Sequence, residues 1–143
     1  MLGGVVAWWV VALVGCAGGD FRPAQLGRDE GMIYVYRRAG AGLGGIDVYV
    51  DQNLRASLTP GRHVGVRVAP GEHLVRAERR RESTRRTIVP PGGSVILEVS
   101  AGWFGQVALM APNQDDARTR ITATREVPRS EPVDKSESQS DAP

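Results

Sequence analysis

The chain has 143 residues, of which 41% are hydrophobic and 24% are charged, and its formal net charge is +2. This length gives room for one domain with an ordinary hydrophobic core, and the net charge is too small to imply nucleic-acid binding by bulk electrostatics. Every basic residue except Lys135 is an arginine, which together with the abundant glycine and alanine reflects base composition as much as a need for guanidinium chemistry.

The chain opens with an apolar segment that carries no charged side chain between residues 2 and 14. As a helix it would span about 20 Å, short of the roughly 30 Å of a hydrocarbon layer, and this length is typical of a signal peptide. The stretch MLGG before it contains no Lys or Arg, which a start further upstream would explain. We therefore expect residues 1–15 to be a signal peptide.

The apolar segment ends in LVGC, which holds the single cysteine of the sequence. Leu13 lies three residues before Cys16 and the small residue Gly15 lies directly before it, and this pattern resembles the lipobox of bacterial lipoproteins. The resemblance implies cleavage before Cys16, a diacylglycerol on its thiol and further acyl chains such as palmitate, which together hold a protein on a membrane. The alternatives are a secretory signal with an incidental cysteine and a short buried helix. One cysteine also excludes an internal disulfide.

The lipoprotein resemblance implies a location in the cell envelope. Ala17 stands where an aspartate would favour retention in the inner membrane, so in a Gram-negative cell we expect the outer membrane, facing the periplasm. Residues 16–30 are Gly-rich and polar without a sustained period, which predicts a lipidated flexible tether.

From residue 31 the sequence predicts short β-strands separated by turns. Ile46, Val48 and Val50 alternate with polar residues, as in a half-buried strand. The predicted strand segments read MIYVYR, IDVYVD, LRASL, HVGVRV, EHLVRAE, TRRTIV, SVILEV and GQVALM. The turns DQN, TPGR, APGE and PPGG separate several of them. This pattern predicts an all-β domain over residues 31–126, an antiparallel β-sandwich of about seven strands, with a small barrel as the alternative.

The end of the chain gives two weaker predictions. Asn113 can cap a short C-terminal helix that has acidic residues in its first turn and arginines later, although three threonines nearby favour a strand. Residues 127–143 are polar and broken by prolines, which predicts a disordered tail.

The order of YVYR, IDVYVD and VRVAPGEHLVRA, followed by a late strand after glycines, resembles a family of bacterial lipoprotein domains of unknown function. It is also similar, more distantly, to PEGA-type surface domains, which are β-sandwiches. The likeness covers roughly residues 30 to 122 and is most specific from Val68 to Leu74. It implies an envelope lipoprotein without an enzymatic role. After the second strand this chain has Asp51, Gln52 and Asn53 in place of the usual Asp-Gly, and we expect the turn to rely on Asn53.

The most conspicuous charge feature is RAERRRESTRR, residues 76–86, in which six arginines and two glutamates give a local net charge of +4. As a hairpin it would crowd guanidinium groups at its tip and flanks, where they can bind phosphate or carboxylate groups. The predicted contact residues are Arg79, Arg80, Arg81, Arg85 and Arg86. The alternative is a solvated edge hairpin that resists aggregation.

A glycine-rich stretch, GAGLGG, has the spacing G-x-G-x-x-G. A dinucleotide site needs a helix directly after this motif, but the pattern here predicts a strand, so we expect a loop and no cofactor.

Two histidines, His63 and His73, follow matching Pro-Gly turns, which could bring them near one another on adjacent strands. With Asp47 or Glu72 they could form a metal site, but no His pair has ligand spacing, so we interpret them as ordinary strand-start residues and expect no metal. No serine lies in a nucleophile-elbow sequence, and we expect no enzymatic activity. The remaining enzyme hypothesis is a hydrolase that joins one histidine to Asp47 or Asp51.

These features together predict a lipid-anchored envelope protein with a non-catalytic binding or structural role. Its expected partners are the membrane, through the lipid anchor, and anionic envelope material such as cell-wall polymer, lipopolysaccharide or lipid headgroups, with no nucleic acid. The alternative is an adaptor that docks other envelope proteins along a sheet edge or through Tyr49 and Trp103.

Overall fold

The structure is a computed structural model that describes residues 19–127 except residues 41 and 43. Cys16, the predicted signal peptide and the predicted tail beyond Val127 lie outside the described residues. Within the described part, no helix is long and apolar enough to cross a membrane.

Nine strands and one helix follow one another along the described residues. They are β1 Gly31–Tyr36, β2 Ile46–Val50, β3 Asn53–Leu58, β4 Arg62–Val68, β5 Gly71–Glu78, β6 Glu82–Val89, β7 Ser94–Ala101, β8 Val107–Met110, α1 Gln114–Ile121 and β9 Arg125–Glu126. Each of the eight predicted strand segments forms a strand. The predicted C-terminal helix is also confirmed, with Asn113 as its cap accepting a hydrogen bond from the Asp115 N–H.

The strands form two sheets, sheet A in the order β8-β7-β1-β4-β9 and sheet B in the order β3-β2-β5-β6. The predicted all-β sandwich is confirmed, and sheet B is antiparallel throughout. Sheet A is mixed, because β7 runs parallel to β1 and β9 runs parallel to β4. Strand β7 begins at the same end of sheet A as β1 and therefore runs parallel to it. An alternating sequence pattern gives no information about strand direction.

The main core lies between the sheets and is built from the inward-facing residues of both. Ile46, Val48 and Val50 are buried in sheet B, and Val64 and Val66 are buried opposite them in sheet A. The predicted alternation of β2 and β4 is therefore confirmed. At the two sides of the sandwich β6 packs beside β8, and β3 packs beside β4.

The outer face of sheet A is covered as well, by α1 and by the segment before β1. Ala117 and Ile121 of the helix pack on a second cluster built around Tyr34 and Tyr36, and Phe21 packs against the same cluster. Residues 20–26 were expected to belong to a free tether. The prediction is wrong for this part, because Phe21, Ala24 and Leu26 bury apolar surface on the sheet.

The sandwich has two ends that carry different connections. One end, which we call the arginine end, carries the β1–β2 loop (residues 37–45), the β5–β6 turn (79–81) and the β7–β8 loop (102–106). The opposite or far end carries the turns at residues 51–52, 69–70 and 90–93. The Pro-Gly turns place Gly61 at the arginine end and Gly71 and Gly92 at the far end, all with the positive φ that glycine permits.

Candidate functional site

The arginine-rich segment forms the predicted hairpin at the arginine end. Strands β5 and β6 pair antiparallel up to Glu78 and Glu82, and residues 79–81 make the turn between them. The Arg79 N–H donates to the Arg81 carbonyl oxygen at 3.2 Å and closes this turn. Three consecutive arginines therefore stand at the tip of the hairpin.

The structure does not gather all five predicted contact arginines on one surface. Arg85 pairs in register with the buried Val75, so it points to the inner side of sheet B at its exposed edge, whereas Arg86 pairs with Leu74 and points outward. Arg86 also forms an ion pair with Glu72 at 3.5 Å. The candidate contact set is therefore reduced to the turn residues Arg79 to Arg81.

Arg76 belongs to the outer face of sheet B, where its charge is already satisfied. It forms ion pairs with Glu78 at 2.9 Å and Glu82 at 3.4 Å. Its guanidinium also lies 4.1 Å from the ring centroid of Tyr49. Tyr49, one of the predicted docking aromatics, is thus covered by a cation and does not face the arginine end.

A pocket of about 400 Å³ opens beside the turn. Its lining is mainly apolar and comes from three connections: Arg79 and Arg80 from the hairpin, Ala101 and Trp103 from the β7–β8 segment, and glycines of the two loops. Arg79 lies over Gly44, and the aliphatic part of Arg80 lies against Gly105. Gly44 has a φ of +86°, a backbone conformation that favours glycine.

The three turn arginines have no carboxylate partner among the described residues. Beside them, Trp103 and Phe104 at the tip of the β7–β8 loop are 95% and 81% exposed. Free guanidinium groups next to exposed aromatic rings suit a ligand that has both an anionic group and an apolar part.

A buried arginine, Arg37, holds the neighbouring glycine loop. Its side chain is only 2% exposed and donates to the carbonyl oxygens of Gly44 at 2.6 Å and Leu58 at 3.0 Å. Burial, and secondly the charge of Arg79, lower the pKa of Arg37. The G-x-G-x-x-G stretch is therefore a loop tied to a cation, and strand β2 follows it as predicted.

A second pocket, of about 380 Å³, lies next to Arg37 and Arg38 and contains the buried Glu98. Glu98 accepts a hydrogen bond from the Tyr36 hydroxyl at 2.5 Å and forms ion pairs with Arg38 at 2.6 Å and Arg120 at 3.3 Å. Burial raises the pKa of Glu98, but the hydrogen bonds and charges of these partners outweigh burial and lower it overall. Burial, followed by the Glu98 hydrogen bond and charge, raises the pKa of Tyr36 to about 12. Glu98 is thus a fully partnered carboxylate.

The two histidines lie on different sheets and at opposite ends of the sandwich, so the Pro-Gly turns do not bring them together as the metal-site hypothesis required. His63 in β4 is paired with Tyr36 near the arginine end, whereas His73 in β5 follows the far-end turn. The reason is that the Pro-Gly turn between β4 and β5 carries the chain from sheet A to sheet B instead of closing a hairpin.

Each histidine has its own partners. His73 Nδ1 contacts Asp51 Oδ2 at 2.6 Å and its Nε2 contacts the Ala69 carbonyl oxygen at 2.5 Å, so neither nitrogen is open. The Asp51 and His73 pairing that the hydrolase hypothesis required therefore exists, but as a closed contact at an exposed turn. Among the described residues, no group of three His, Cys, Asp or Glu side chains could hold a metal ion.

Sequence reasoning missed Arg37 and Glu98, the buried charged residues that support the arginine end. Neither is marked by a motif: Arg37 is one arginine among many, and the partners of Glu98 lie 60 or more positions away in Arg38 and Tyr36. The turn arginines and Trp103 were identified separately, and the structure brings them to one pocket.

Comparison with protein-family models, with curated proteins and with solved structures found no match to this chain.

Proposed function

We propose that this protein is a lipid-anchored component of a bacterial cell envelope with a non-catalytic binding role, and that Arg79, Arg80 and Arg81 contact its anionic ligand. The observation that carries the proposal is the group of three turn arginines that have no carboxylate partner in the described part of the chain, two of which, Arg79 and Arg80, line a largely apolar pocket. The LVGC sequence, with Cys16 as the lipidated residue, supports the envelope location.

The charge arrangement favours an anion as the ligand. Arg76 and Arg86, the other outward-facing arginines of the hairpin, are paired with Glu72, Glu78 and Glu82. Of the four hairpin arginines without a carboxylate partner among the described residues, three stand at the tip and the fourth, Arg85, faces the inner side of sheet B. The buried Arg37 adds a further cation below the tip. Phosphate and carboxylate groups of lipid headgroups, lipopolysaccharide or cell-wall polymer have the matching chemistry.

The arginine contact is tested by replacing Arg79, Arg80 and Arg81 together with serine. We expect the full chain to lose most of its salt-sensitive binding to anionic vesicles and to isolated cell wall, because guanidinium–anion contacts of exposed groups are screened by salt. The matched control replaces Arg28, Arg67 and Arg118, which removes the same charge away from the arginine end. Equal losses in both triple variants would show that only net charge matters and would contradict the proposal.

The anchor is tested at Cys16. Mass spectrometry of the mature amino terminus should find an acylated cysteine, and Cys16→Ser should leave the precursor unprocessed or release the protein from membranes. A Cys16→Ser protein that is cleaved and still tightly anchored would rule out lipidation at this residue.

An adaptor role is a second candidate, favoured by Ile88, which is 73% exposed on the outer face of sheet B near Leu74. We expect Ile88→Arg to abolish recovery of a specific envelope protein after crosslinking in cells. Recovery that is unchanged in this variant would reject the outer face of sheet B as the docking surface.

A further inference from the structure

The described chain begins at the arginine end of the sandwich. The Asp20 N–H donates to the Thr124 carbonyl oxygen at 3.3 Å, and the Asp20 carboxylate accepts from the Glu126 N–H at 2.7 Å. Residues 125–126 pair with Arg62 and His63 at the start of β4, which lies beside the end of β1. Asp20 is therefore held at the same end as the β1–β2 loop and the hairpin turn.

This attachment shortens the connection to Cys16. Four residue steps separate Cys16 from Asp20, and an extended chain covers at most about 14 Å over that distance. A free tether that ran to residue 30 would cover up to about 50 Å. Because residues 20–26 are docked on sheet A, a lipid on Cys16 would hold Asp20, at the edge of sheet A on the arginine end, within about 14 Å of the bilayer.

We propose that the arginine end lies on the surface of an anionic phospholipid bilayer, with Trp103 and Phe104 in the interfacial layer and Arg79, Arg80 and Arg81 at the lipid phosphates. This orientation rests on the lipid anchor of the proposed function and assigns the bilayer itself as the ligand of the turn arginines.

The side chains at this end match the chemistry of such a surface. Trp103 and Phe104 are exposed at a loop tip, whereas the other large exposed apolar side chains of residues 19–127 lie on strands. Aromatic rings partition to the membrane–water interface, and tryptophan does so with its N–H directed to the polar layer. Arginines place their aliphatic stems along apolar surface while their guanidinium groups reach phosphate, and basic side chains are attracted to anionic leaflets. Both kinds of side chain border one pocket at the end where the chain comes from Cys16.

The orientation can be measured from the depth of a single tryptophan. The experiment uses the mature lipidated protein, in which cleavage before Cys16 removes Trp8 and Trp9 and leaves Trp103 as the only tryptophan. The protein is reconstituted in vesicles of phosphatidylethanolamine and phosphatidylglycerol that contain lipids brominated near the headgroup end of their acyl chains. We expect strong quenching and a blue shift of Trp103 fluorescence. In the matched control, Trp103→Phe with Ile88→Trp moves the tryptophan toward the far end, and quenching should be several-fold weaker.

Each outcome distinguishes this inference from the proposed function. Equal quenching at positions 88 and 103, or no quenching at 103, overturns the orientation; if binding to anionic material still depends on the turn arginines, the proposed function survives. Quenching of Trp103 that persists when Arg79, Arg80 and Arg81 are serine supports the orientation and counts against the arginine contact. Quenching that requires both the arginines and phosphatidylglycerol supports the two together.

Discussion

Asp51 and Gln52 make the turn between β2 and β3 with positive φ angles of 49° and 71°. The sequence predicted a turn here, but it assigned the left-handed conformation to Asn53, which instead begins β3. Asp51 is retained in this conformation by its carboxylate, which accepts the Leu74 N–H at 3.0 Å and contacts His73. Gln52 makes no side-chain hydrogen bond in the described structure, so nothing offsets the energetic cost of its left-handed conformation.

Gln52→Gly should therefore stabilise the protein. A residue with a Cβ costs about 1–2 kcal/mol in the left-handed region, and the greater freedom of glycine in the unfolded chain offsets about 0.5–1 kcal/mol of the gain. We expect the free energy of unfolding, measured with urea, to rise by about 0.5–1 kcal/mol. Gln25→Gly, in the segment before β1, is the control and should not stabilise. A loss of stability in Gln52→Gly would contradict the turn geometry.

The two histidines differ in protonation because their partners differ. Carbonyl and carboxylate oxygens only accept, so the two contacts of His73 are both hydrogen bonds when its ring is protonated, and they favour the imidazolium form. The Thr124 hydroxyl already donates to the Ile121 carbonyl oxygen, so it accepts from His63 Nδ1, and the neutral ring of His63 carries its proton there. Burial lowers the pKa of both rings, but at His73 the contacts with Ala69 and Asp51 outweigh burial and raise it overall.

The histidine titrations should move in opposite directions from the ordinary value of 6.5. By NMR of the ring signals we expect the midpoint of His73 above it and that of His63 below it. The stability that His73 contributes is fully present below pH 6.5 and is lost as pH rises through its folded pKa, whereas burial of neutral His63 is disfavoured as pH falls below 6.5. His73→Gln should remove the upper midpoint alone. Coincident midpoints would disprove the assigned contacts.

At the scale of elements, Glu98 connects three parts of the fold. It lies in β7, accepts from Tyr36 at the end of β1, and pairs with Arg120 in the last turn of α1. Only 3% of Glu98 is exposed, whereas the side chains of Arg38 and Arg120 are 57% and 40% exposed. The carboxylate therefore supplies the buried polar contact that orients the short helix on sheet A.

Glu98→Gln should destabilise the protein by about 1–3 kcal/mol at neutral pH, because it removes the buried carboxylate that accepts from Tyr36 and pairs with Arg38 and Arg120. The folded pKa of Glu98 is lowered from 4.5, so its contribution is present above pH 4.5 and is lost as pH falls through the folded value. The difference in free energy of unfolding between Glu98→Gln and wild type, measured with urea, should therefore shrink as the pH falls below 4.5. Glu78→Gln, which breaks an exposed ion pair, is the control and should cost less than about 1 kcal/mol. Equal effects of the two substitutions would show that Glu98 is not buried.

At the scale of the whole molecule, the segment before β1 belongs to the fold. Phe21 makes edge-on ring contacts with Tyr34 at 5.0 Å and with His63 at 5.5 Å, and the Ala24 N–H donates to the Tyr34 hydroxyl at 2.8 Å. Sheet A is thereby buried on both faces, which gives the molecule three layers along β1.

Phe21→Ala should lower the free energy of unfolding by roughly 2 kcal/mol, less than the 3–5 kcal/mol typical of a fully buried phenylalanine. We also expect the amide of Ala24 to be protected from hydrogen exchange in wild type and to lose that protection in the variant. Arg22→Ala, which changes the exposed neighbour, should alter neither quantity. An unprotected Ala24 amide in wild type would mean that the segment is not docked.

The strands were predictable because their information is local. The alternation in β2 and β4 and the Pro-Gly turns specify which residues face inward and where the chain reverses, and Asn113 with the acidic residues after it specifies the start of α1. The candidate site was predictable only in pieces: the turn arginines stood out by charge and Trp103 by its aromatic ring. Arg37 and Glu98 were not predictable, because an isolated charged residue does not reveal whether distant backbone or side chains will bury it.

The sequence by itself determined an all-β sandwich with a short C-terminal helix, the alternation that builds the main core, and a hairpin tipped by three arginines, since each depends on spacing between near neighbours. Only the tertiary structure decided that β7 runs parallel to β1, that His63 and His73 lie at opposite ends, and that residues 20–26 cover sheet A. It also decided that Arg79, Arg80 and Trp103 share a pocket at the arginine end. These features depend on which strands and loops meet across long stretches of chain, and their free energy comes from the burial and hydrogen bonding that only the assembled layers provide.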